Sequence, residues 1–306
     1  MKELIIICGS TCSGKSSLAV NVAEKLNTSV ISADSMCIYK GFNIGTAKPS
    51  EKDMKRVKHY MIDVADPFKP YSVADYKNTA EKIVDEILSQ NKNPVVCGGT
   101  GFYINSLIYD MSYGNGGENS EIREKLKEKL QLVGAEKLWN ELYGTDRASA
   151  EKIEKKKNHD SKRVIRALEI FYSTGKKKSD MRDTLNSKRP YKAFCIDYPR
   201  EELYERINAR VDQMLACGLV DEVQGLINKG FTLQNNAMQG IGYKEIYAYL
   251  KGETDYETAV ETLKQNTRRY AKRQITFFKR TEGLIHLNPS VGEEKMAEIV
   301  LNSLEK

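Results

Sequence analysis

The sequence lacks the features that mark membrane proteins and disulfide-bonded secreted proteins. No stretch approaches the run of about 18 apolar residues that spans a bilayer, and the N-terminus is apolar strand rather than a basic signal-peptide leader. The six cysteines are scattered without a C-x-x-C pair, and there are only three histidines, so neither a zinc site nor a disulfide framework is indicated. We therefore expect a cytoplasmic protein with free buried thiols and no membrane partner.

Positive charge is in modest excess and is concentrated in one part of the chain. Lysine and arginine number 48 against 42 aspartates and glutamates, which gives a net charge of +6. Residues 118–189 hold 19 basic and 13 acidic residues, so this segment alone carries the excess. The basic residues after Asp146 include Lys155, Lys156, Lys157, Lys162, Arg163, Arg166, Lys176, Lys177, Lys178, Lys188 and Arg189. Such a surface suits a polyanion such as nucleic acid, although a solvated lysine-rich helix gives the same pattern.

The most informative motif is a glycine-rich loop between an apolar run and an amphipathic helix. The run is Leu4–Cys8, and the loop fits G-x-x-x-x-G-K-[ST]. Its residues are Gly9, Ser10, Thr11, Cys12, Ser13, Gly14, Lys15 and Ser16. The glycines let the backbone N–H groups face one anion, and the helix N-terminus adds its positive dipole end. Lys15 would bind terminal phosphates and Ser16 would bind Mg²⁺, so the loop predicts a diphosphate or a triphosphate site.

Short strands alternate with helices after this loop, which predicts a parallel sheet covered on both faces. The strand at residues 30–33 ends at Asp34, and the strand at residues 94–97 is followed by a Gly-Gly-Thr-Gly turn that contains Thr100. Because chemistry collects at the carboxyl ends of parallel strands, Asp34 and Thr100 should lie beside the phosphate loop. Asp34 could hold Mg²⁺ or act as a general base, or it could only cap the segment that follows.

The chain changes character near residue 114. Residues 114–117 form a flexible Gly-Asn-Gly-Gly joint, helical patterns without strands follow, and a strand pattern returns at residues 191–198. We predict an α/β fold, with a P-loop NTPase-like parallel sheet flanked by helices and an all-helical insertion domain. The core domain would comprise residues 1–114 and 188–306, and the basic insertion residues 115–187. A later helix pattern, residues 256–279, carries a basic stripe that could be only a solvated face.

Taken together, these motifs resemble those of the tRNA dimethylallyltransferases, isopentenyltransferases that modify an adenosine beside the anticodon. The resemblance runs nearly from end to end. Its first half rests on G-S-T-C-S-G-K-S, I-S-A-D-S-M, Y-K-G-F-N-I-G-T-A-K-P, M-I-D-V-A-D-P, Y-S-V-A-D-Y and G-G-T-G-F-Y. Its second half rests on K-R-V-I-R-A-L-E-I, S-T-G-K, R-I-N-A-R-V-D-Q-M-L, G-I-G-Y-K-E and T-R-R-Y-A-K-R-Q. The phosphate loop is generic, whereas the combination is specific.

The resemblance implies transfer of a dimethylallyl group from dimethylallyl diphosphate to N6 of the adenosine at tRNA position 37, with release of diphosphate. The phosphate loop would hold the diphosphate and Mg²⁺ rather than ATP. Asp34 would accept the proton from the adenine amine, or serve as a metal partner, while Thr100 and Arg210 would steady the leaving group. The base would be flipped out of the anticodon loop, and the basic insertion would clamp the anticodon stem-loop.

The resemblance also implies a set of RNA contacts and a monomeric enzyme. The contacts would come from Asp34, Ser35, Met36, Cys37, Thr100, Arg123, Lys162, Arg163, Val164, Ile165 and Arg166. Two positions depart from the family pattern. Cys37 stands where the family usually has a glutamine that hydrogen-bonds the adenine, and Phe277 stands where it has a tryptophan. Because a thiol is a poor substitute for an amide, either a neighbour reads the base here or selectivity is looser.

Three other functions fit the phosphate loop. A small-molecule kinase would use the loop for ATP, and an isopentenyltransferase for free adenine nucleotides would share the prenylation chemistry. Both leave the basic insertion without a purpose. A non-catalytic RNA-binding protein or nucleotide switch is the third, and it would not need Asp34.

Overall fold

A parallel sheet underlies the larger of two units in the computed structural model, which describes residues 2–111, 120–154, 160–181 and 186–304. Its strands are β1 (Leu4–Cys8), β2 (Val30–Ser32), β3 (His59–Tyr60), β4 (Val95–Gly98), β5 (Tyr191–Ile196) and β6 (Leu284–Leu287). Their order is β3-β2-β4-β1-β5-β6, and every neighbouring pair is parallel. The larger unit comprises residues 1–109 and 187–306, and the smaller comprises residues 110–186.

Helices follow the strands in the alternation that a parallel sheet requires, because each crossover must carry the chain back across the sheet. In the larger unit they are α1 (Lys15–Lys25), α2 (Glu51–Arg56), α3 (Val73–Ser89), α4 (Gly101–Ile108), α8 (Arg200–Ala216), α9 (Leu219–Asn228), α10 (Tyr243–Leu250), α11 (Tyr256–Phe278) and α12 (Glu293–Ser303). In the smaller unit they are α5 (Ser120–Thr145), α6 (Arg147–Glu154) and α7 (Ser161–Thr174). The predicted P-loop NTPase-like sheet with a helical insertion is confirmed.

The central strand β1 is buried on both faces, as expected for an inner strand of a parallel sheet. All five of its residues have no exposed surface, and its neighbours are β4 and β5. Ile5 and Ile7 pack in one cluster with Leu18 of α1 and Met296 of α12, so these helices cover that face. The buried strand ends abruptly at Gly9, which places the glycine loop at the carboxyl edge of the sheet.

Some boundaries differ from those that the sequence predicts. The pattern H-Y-M-I-D-V predicts a strand at residues 59–64, but β3 ends at Tyr60, because Met61 and Asp63 adopt left-handed backbone angles of 62° and 54° in φ that interrupt an extended chain. Helices α2 and α9 were not predicted from the sequence. Gly218, with φ of 93°, separates α9 from α8, so a short turn divides two helices that follow one another closely.

The smaller unit has its own apolar core. Leu126, Leu138 and Trp139 of α5 pack with Ala150 of α6 and Leu168 of α7. The Trp139 indole donates a hydrogen bond of 3.0 Å to the Ala150 carbonyl, so it belongs to the core rather than to a surface platform. The apolar pattern of the sequence predicts two helices, at residues 123–132 and 135–143, whereas the structure has the single helix α5 with a kink at Gly134. The predicted joint at residues 114–117 and the lysines at 155–157 lie outside the described residues.

Two expectations from composition concern the whole described chain. All six cysteines are free thiols, as predicted, but only four of them are buried, since Cys12 is half-buried and Cys217 is exposed. None of the helices in the described ranges combines the length and the apolarity needed to cross a membrane.

Candidate active site

The glycine loop lies between the end of β1 and the first turn of α1, with its N–H groups at the positive end of the helix. Gly9 has φ of 135° and a Cβ there would lie 3.3 Å from the Cys195 sulfur, while Gly14 has φ of 81° and begins α1. Lys15 Nζ donates a 3.0 Å hydrogen bond to the Ser10 carbonyl and so folds back over the loop. The Ser13 hydroxyl is buried and has no hydrogen-bond partner within the described residues. A buried unpaired hydroxyl beside an anion-binding backbone is consistent with a ligand at this position.

Two side chains from helices far away in the sequence form hydrogen bonds with the backbone of the phosphate loop. Neither was predicted to be a site residue. Arg206 of α8 donates from Nε to the Cys12 carbonyl at 3.0 Å. Gln274 of α11 accepts the Thr11 N–H at 2.8 Å. The only sequence signal for them was the presence of both residues in segments that resemble the family, R-I-N-A-R and A-K-R-Q.

Asp34 follows β2 and uses one carboxylate oxygen to organise the next turn. Its Oδ1 accepts the N–H of Met36 at 2.8 Å and that of Cys37 at 3.3 Å. Within the part of the chain that the structure describes, Oδ2 accepts no hydrogen bond. The capping role that the sequence left open is therefore present, and it leaves one oxygen of a half-buried carboxylate for other chemistry.

Thr100 lies at the end of the neighbouring strand β4 and is tied to the segment that carries Asp34. Its N–H donates to the Ala33 carbonyl at 3.0 Å. Its hydroxyl accepts the Ser35 N–H at 3.0 Å and donates to the Ser35 hydroxyl at 3.2 Å. The strands approach so closely that a Cβ on Gly98 would lie 2.2 Å from the Ala33 carbonyl oxygen. The structure thus joins the two strand ends that the sequence places together.

Cys97 of β4 connects the segments that carry Asp34 and Lys15, because its thiol donates to the Lys15 carbonyl at 3.5 Å and its carbonyl accepts the Ala33 N–H at 2.7 Å. Burial raises the pKa of the Cys97 thiol to about 11, with Lys15 opposing the rise and Asp34 adding to it. Burial, with a smaller contribution from Asp34, also raises the pKa of the Tyr103 and Tyr270 phenols. Both phenols therefore stay protonated and can donate hydrogen bonds at neutral pH.

Cys37 does not present its thiol to this centre. The side chain is buried, and Sγ lies 3.5 Å from the Thr46 carbonyl, to which it donates. Burial first, and then the charge of Asp34, raise the pKa of this thiol well above its usual range. Met36, its neighbour, packs against Gly240, where a Cβ would lie 2.4 Å from the methionine methyl group. A neutral thiol bonded to its own loop is a weak candidate for reading a base.

Arg210 lies one turn after Arg206 on α8 and therefore on the same side of that helix. Its side chain is half-buried. It has no ion pair or hydrogen bond to any other described residue. A half-buried cation without a carboxylate partner among the described residues is available to an anionic ligand.

The basic helix α11 has two kinds of cation on its surface. Lys264 pairs with Asp212 and Arg268 pairs with Glu261, each at 2.7 Å. Arg269, Lys272 and Arg273 are exposed, and with Thr276 they line a surface pocket of about 390 Å³. Lys264 and Arg268 are thus neutralised by acidic side chains. The cationic surface of α11 is formed by Arg269, Lys272 and Arg273.

The residues of the smaller unit that are predicted to contact RNA lie partly in its core and partly on its surface. Val164 and Ile165 are buried in its apolar core, so their side chains do not face solvent. Arg123 and Arg166 form ion pairs with the buried Glu169, at 2.9 and 3.1 Å. Lys162 and Arg163 are exposed, and Arg163 lies 3.2 Å from Asp160. Lys176 and Lys177 are also exposed.

No cluster of three or more His, Cys, Asp or Glu side chains suited to a metal ion occurs among residues 2–111, 120–154, 160–181 and 186–304. Mg²⁺ often needs no such cluster, since it retains waters and takes further oxygens from substrate phosphates. Ser16 offers a hydroxyl in the first turn of α1, and Asp34 offers a carboxylate oxygen after β2 that accepts no hydrogen bond from a described residue. The donor set therefore fits a magnesium ion shared with a bound diphosphate.

Comparisons with known proteins identify the family to which the chain is similar. The family model described as IPP transferase matches residues 37–281. The tRNA dimethylallyltransferase of Acetivibrio thermocellus is 46% identical over 291 residues, 94% of this chain and 92% of the relative. The crystal structure of a tRNA delta(2)-isopentenylpyrophosphate transferase from Staphylococcus epidermidis has a TM-score of 0.73 and 38% identity, covering 100% of this chain and 99% of its own. A eukaryotic dimethylallyltransferase acting on tRNA has a TM-score of 0.80 and 28% identity, covering 94% of this chain and 74% of its own.

The sheet order, the glycine loop at the end of β1 and the helix that follows it define a P-loop NTPase-like protein. Within that class, the chain belongs to the IPP transferase family. It is therefore a prenyltransferase enzyme.

Proposed function

We propose that this enzyme transfers a dimethylallyl group from dimethylallyl diphosphate to N6 of an adenosine adjacent to the tRNA anticodon, at position 37, and releases diphosphate. The observation that carries the proposal is the position of Asp34 beside the phosphate loop. One of its carboxylate oxygens accepts the N–H groups of Met36 and Cys37, and the other accepts no hydrogen bond from a described residue. A kinase would bind ATP in the same loop, whereas the family relationship favours a prenyl diphosphate as the ligand.

In the proposed reaction, the adenine amine attacks the allylic carbon while the bond from that carbon to the diphosphate oxygen breaks. The unengaged oxygen of Asp34 accepts the proton that the amine loses. Its partner oxygen remains bonded to the Met36 and Cys37 N–H groups, so the carboxylate is already oriented before the base arrives. The electron pair of the broken bond leaves on the diphosphate.

The departing diphosphate gains negative charge, and the loop offers fixed positive groups to it. The N-terminus of α1, Lys15 and the unpaired Arg210 are suited to this role. Ser16 would hold Mg²⁺ together with the diphosphate, where the ion would neutralise part of the developing charge. Thr100 would join them once its hydroxyl turns from Ser35, to which it donates in this structure.

The RNA partner is proposed to be the anticodon stem-loop of tRNA. Lys162, Arg163, Lys176 and Lys177 of the smaller unit are exposed cations that suit phosphate contacts. For base recognition, Tyr103 and Tyr270 are better candidates than Cys37, since their protonated phenols lie in the field of Asp34. We propose a cytoplasmic monomer, because tRNA is cytoplasmic and one chain supplies all these groups.

The experiment incubates the protein and Mg²⁺ with labelled dimethylallyl diphosphate and unmodified tRNA, with AMP and ATP as competing acceptors. Label should appear in tRNA and should be lost with Asp34→Asn, whose amide can still cap the turn but cannot accept the proton. Asp255→Asn is the matched control, since Asp255 caps α11 through a 2.8 Å bond from the Thr258 N–H. Label in AMP would identify the free-nucleotide enzyme instead. ATP hydrolysis without prenyl transfer would favour the kinase and overturn the proposal.

A further inference from the structure

A single buried amide connects the phosphate loop to the second glycine turn. Gln274 lies on the inner side of α11 and is 4% exposed. Its Oε1 accepts the Thr11 N–H at 2.8 Å, and its Nε2 donates to the Gly99 carbonyl at 3.0 Å. These partners lie 263 and 175 residues away in the sequence. Both ends of the amide are therefore used, each by the backbone of a different loop.

The glycine turn is shaped to receive this helix face. A Cβ on Gly99 would lie 2.0 Å from the Gln274 nitrogen, and a Cβ on Gly101 would lie 2.0 Å from Cε1 of Phe277. A side chain at either glycine would require Gln274 or Phe277 to move, so these two side chains of α11 lie directly on the backbone of the turn. Residues 274 and 277 are three apart on one side of the helix, and together they fix how the turn lies against it.

The two loops joined in this way are the ones that would share a ligand. Thr11 is in the phosphate loop after β1, and Gly99 immediately precedes Thr100 after β4. These strands are neighbours, so their carboxyl ends face the same space. An amide is planar and holds its donor and acceptor at a fixed separation, so Gln274 sets the distance between the loops.

We propose that Gln274 is a positioning residue, which holds the phosphate loop and the Gly99–Thr100 turn at the separation at which both contact one diphosphate group. The choice of diphosphate as the ligand rests on the proposed function. Because transition-state stabilisation depends on donors that are in place beforehand, displacement of either loop lowers the rate even when the ligand still binds.

The test compares three variants at two positions of α11. Gln274→Met keeps the length and apolar stem of the side chain but removes both hydrogen bonds. Gln274→Glu keeps the acceptor for Thr11 and loses the donor to Gly99 until its carboxyl group is protonated. Gln265→Met is the matched control, because Gln265 is an exposed glutamine of the same helix.

For Gln274→Met we expect kcat/KM for dimethylallyl diphosphate to fall about 100-fold, the loss expected of a misplacement of about 1 Å. The KM for RNA should be unchanged, and calorimetry with inorganic diphosphate and Mg²⁺ should show weaker binding. Gln265→Met should behave as wild type in each assay. Thermal unfolding identifies any variant that fails to fold. If Gln274→Met does not fold, the kinetics of Gln274→Glu test the inference.

A pH profile gives the readout that a merely structural role would not produce. Burial beside a carbonyl oxygen keeps the carboxyl group of Gln274→Glu protonated to a higher pH than usual, and the protonated form reproduces both bonds of glutamine. The ratio of its kcat/KM to that of wild type should therefore rise as pH falls from about 8 to about 6. The same ratio for Gln274→Met should not change with pH.

Wild-type kinetics and diphosphate affinity in Gln274→Met would overturn the inference, as would a flat pH ratio for Gln274→Glu. Failure of the proposed function is a different outcome, in which the wild-type protein itself transfers no prenyl group to RNA. In that case the binding of inorganic diphosphate to wild type and to Gln274→Met still decides whether the amide positions the loop.

Discussion

Glu222 and Ile44 are joined by both oxygens of one carboxylate, since the Ile44 N–H donates to Oε2 at 2.9 Å and to Oε1 at 3.1 Å. The same carboxylate accepts the N–H groups of Asn43 and Gly45 and the hydroxyl of Tyr243. One side chain of α9 thus satisfies three consecutive backbone donors of a loop with no regular structure. That loop continues to Thr46, whose carbonyl accepts the Cys37 thiol.

We expect Glu222→Gln to lower the free energy of unfolding by about 1–3 kcal/mol, because the amide nitrogen cannot accept a hydrogen bond and leaves partly buried donors of the loop unsatisfied. Urea unfolding of the variant and the wild type measures the difference. Glu205→Gln, on an exposed face of α8, should change the same quantity little. Equal midpoints and slopes for Glu222→Gln and wild type would show that the loop does not depend on this carboxylate.

The local parts of this site could be predicted from the sequence, because each is written in consecutive residues. A buried strand followed by a glycine pattern fixed the place of Lys15, and strand ends marked Asp34 and Thr100 as its neighbours. The fold class followed from the same alternation of strands and helices and is confirmed. The roles of these side chains in the reaction stay predictions.

The long-range contacts could not be predicted in this way. Arg206 meets Cys12 across 194 residues, and Glu222 meets Asn43 across 179. Nothing in either segment specifies its partner, since an arginine or glutamate on a helix has the same pattern whether it faces water or a loop. The buried thiol of Cys37 shows the same limit, because a departure from the family pattern does not reveal where the side chain points.

The phosphate loop lysine supplies a direct test of diphosphate binding. Lys15→Met removes a charged donor from the loop, and hydrogen bonds to charged groups contribute about 1.5–3 kcal/mol. We therefore expect inorganic diphosphate to bind about 10- to 100-fold more weakly in the presence of Mg²⁺. Lys25→Met is the control, because Lys25 ends the same helix and pairs with Glu294 far from the loop residues. Unchanged binding in Lys15→Met would place the diphosphate elsewhere.

Because burial raises the pKa of the Cys97 thiol, we expect the free energy of unfolding to fall at alkaline pH. Its pKa is raised from 9.0 to about 11 by burial, with a further rise from Asp34. The folded state therefore favours the neutral thiol, so this group costs no stability below pH 9 and destabilises the fold as the unfolded thiol ionises between pH 9 and about 11. The two-unit shift corresponds to about 3 kcal/mol once both states have titrated.

Urea unfolding of wild type and Cys97→Ser across this range measures that loss. The unfolding free energy of wild type minus that of Cys97→Ser should be constant below pH 9 and should fall above it, since serine does not titrate there. Other alkaline groups cancel in the difference. Cys217→Ser, at an exposed thiol, is the matched control for replacing a cysteine. A constant difference up to pH 11 for Cys97→Ser would contradict the raised pKa.

The division of cations on α11 predicts two different salt dependences for RNA binding. Lys272 is exposed beside Arg269 and Arg273, whereas Lys264 already pairs with Asp212. If the unpaired group contacts RNA phosphates, Lys272→Met should reduce the slope of log affinity against log salt by about 0.7–0.9, the contribution of one phosphate contact. Lys264→Met should change that slope less, because its charge is already neutralised. Filter binding of unmodified tRNA at several salt concentrations measures both slopes, and a slope for Lys272→Met equal to that of wild type would mean that Lys272 makes no electrostatic contact with the RNA.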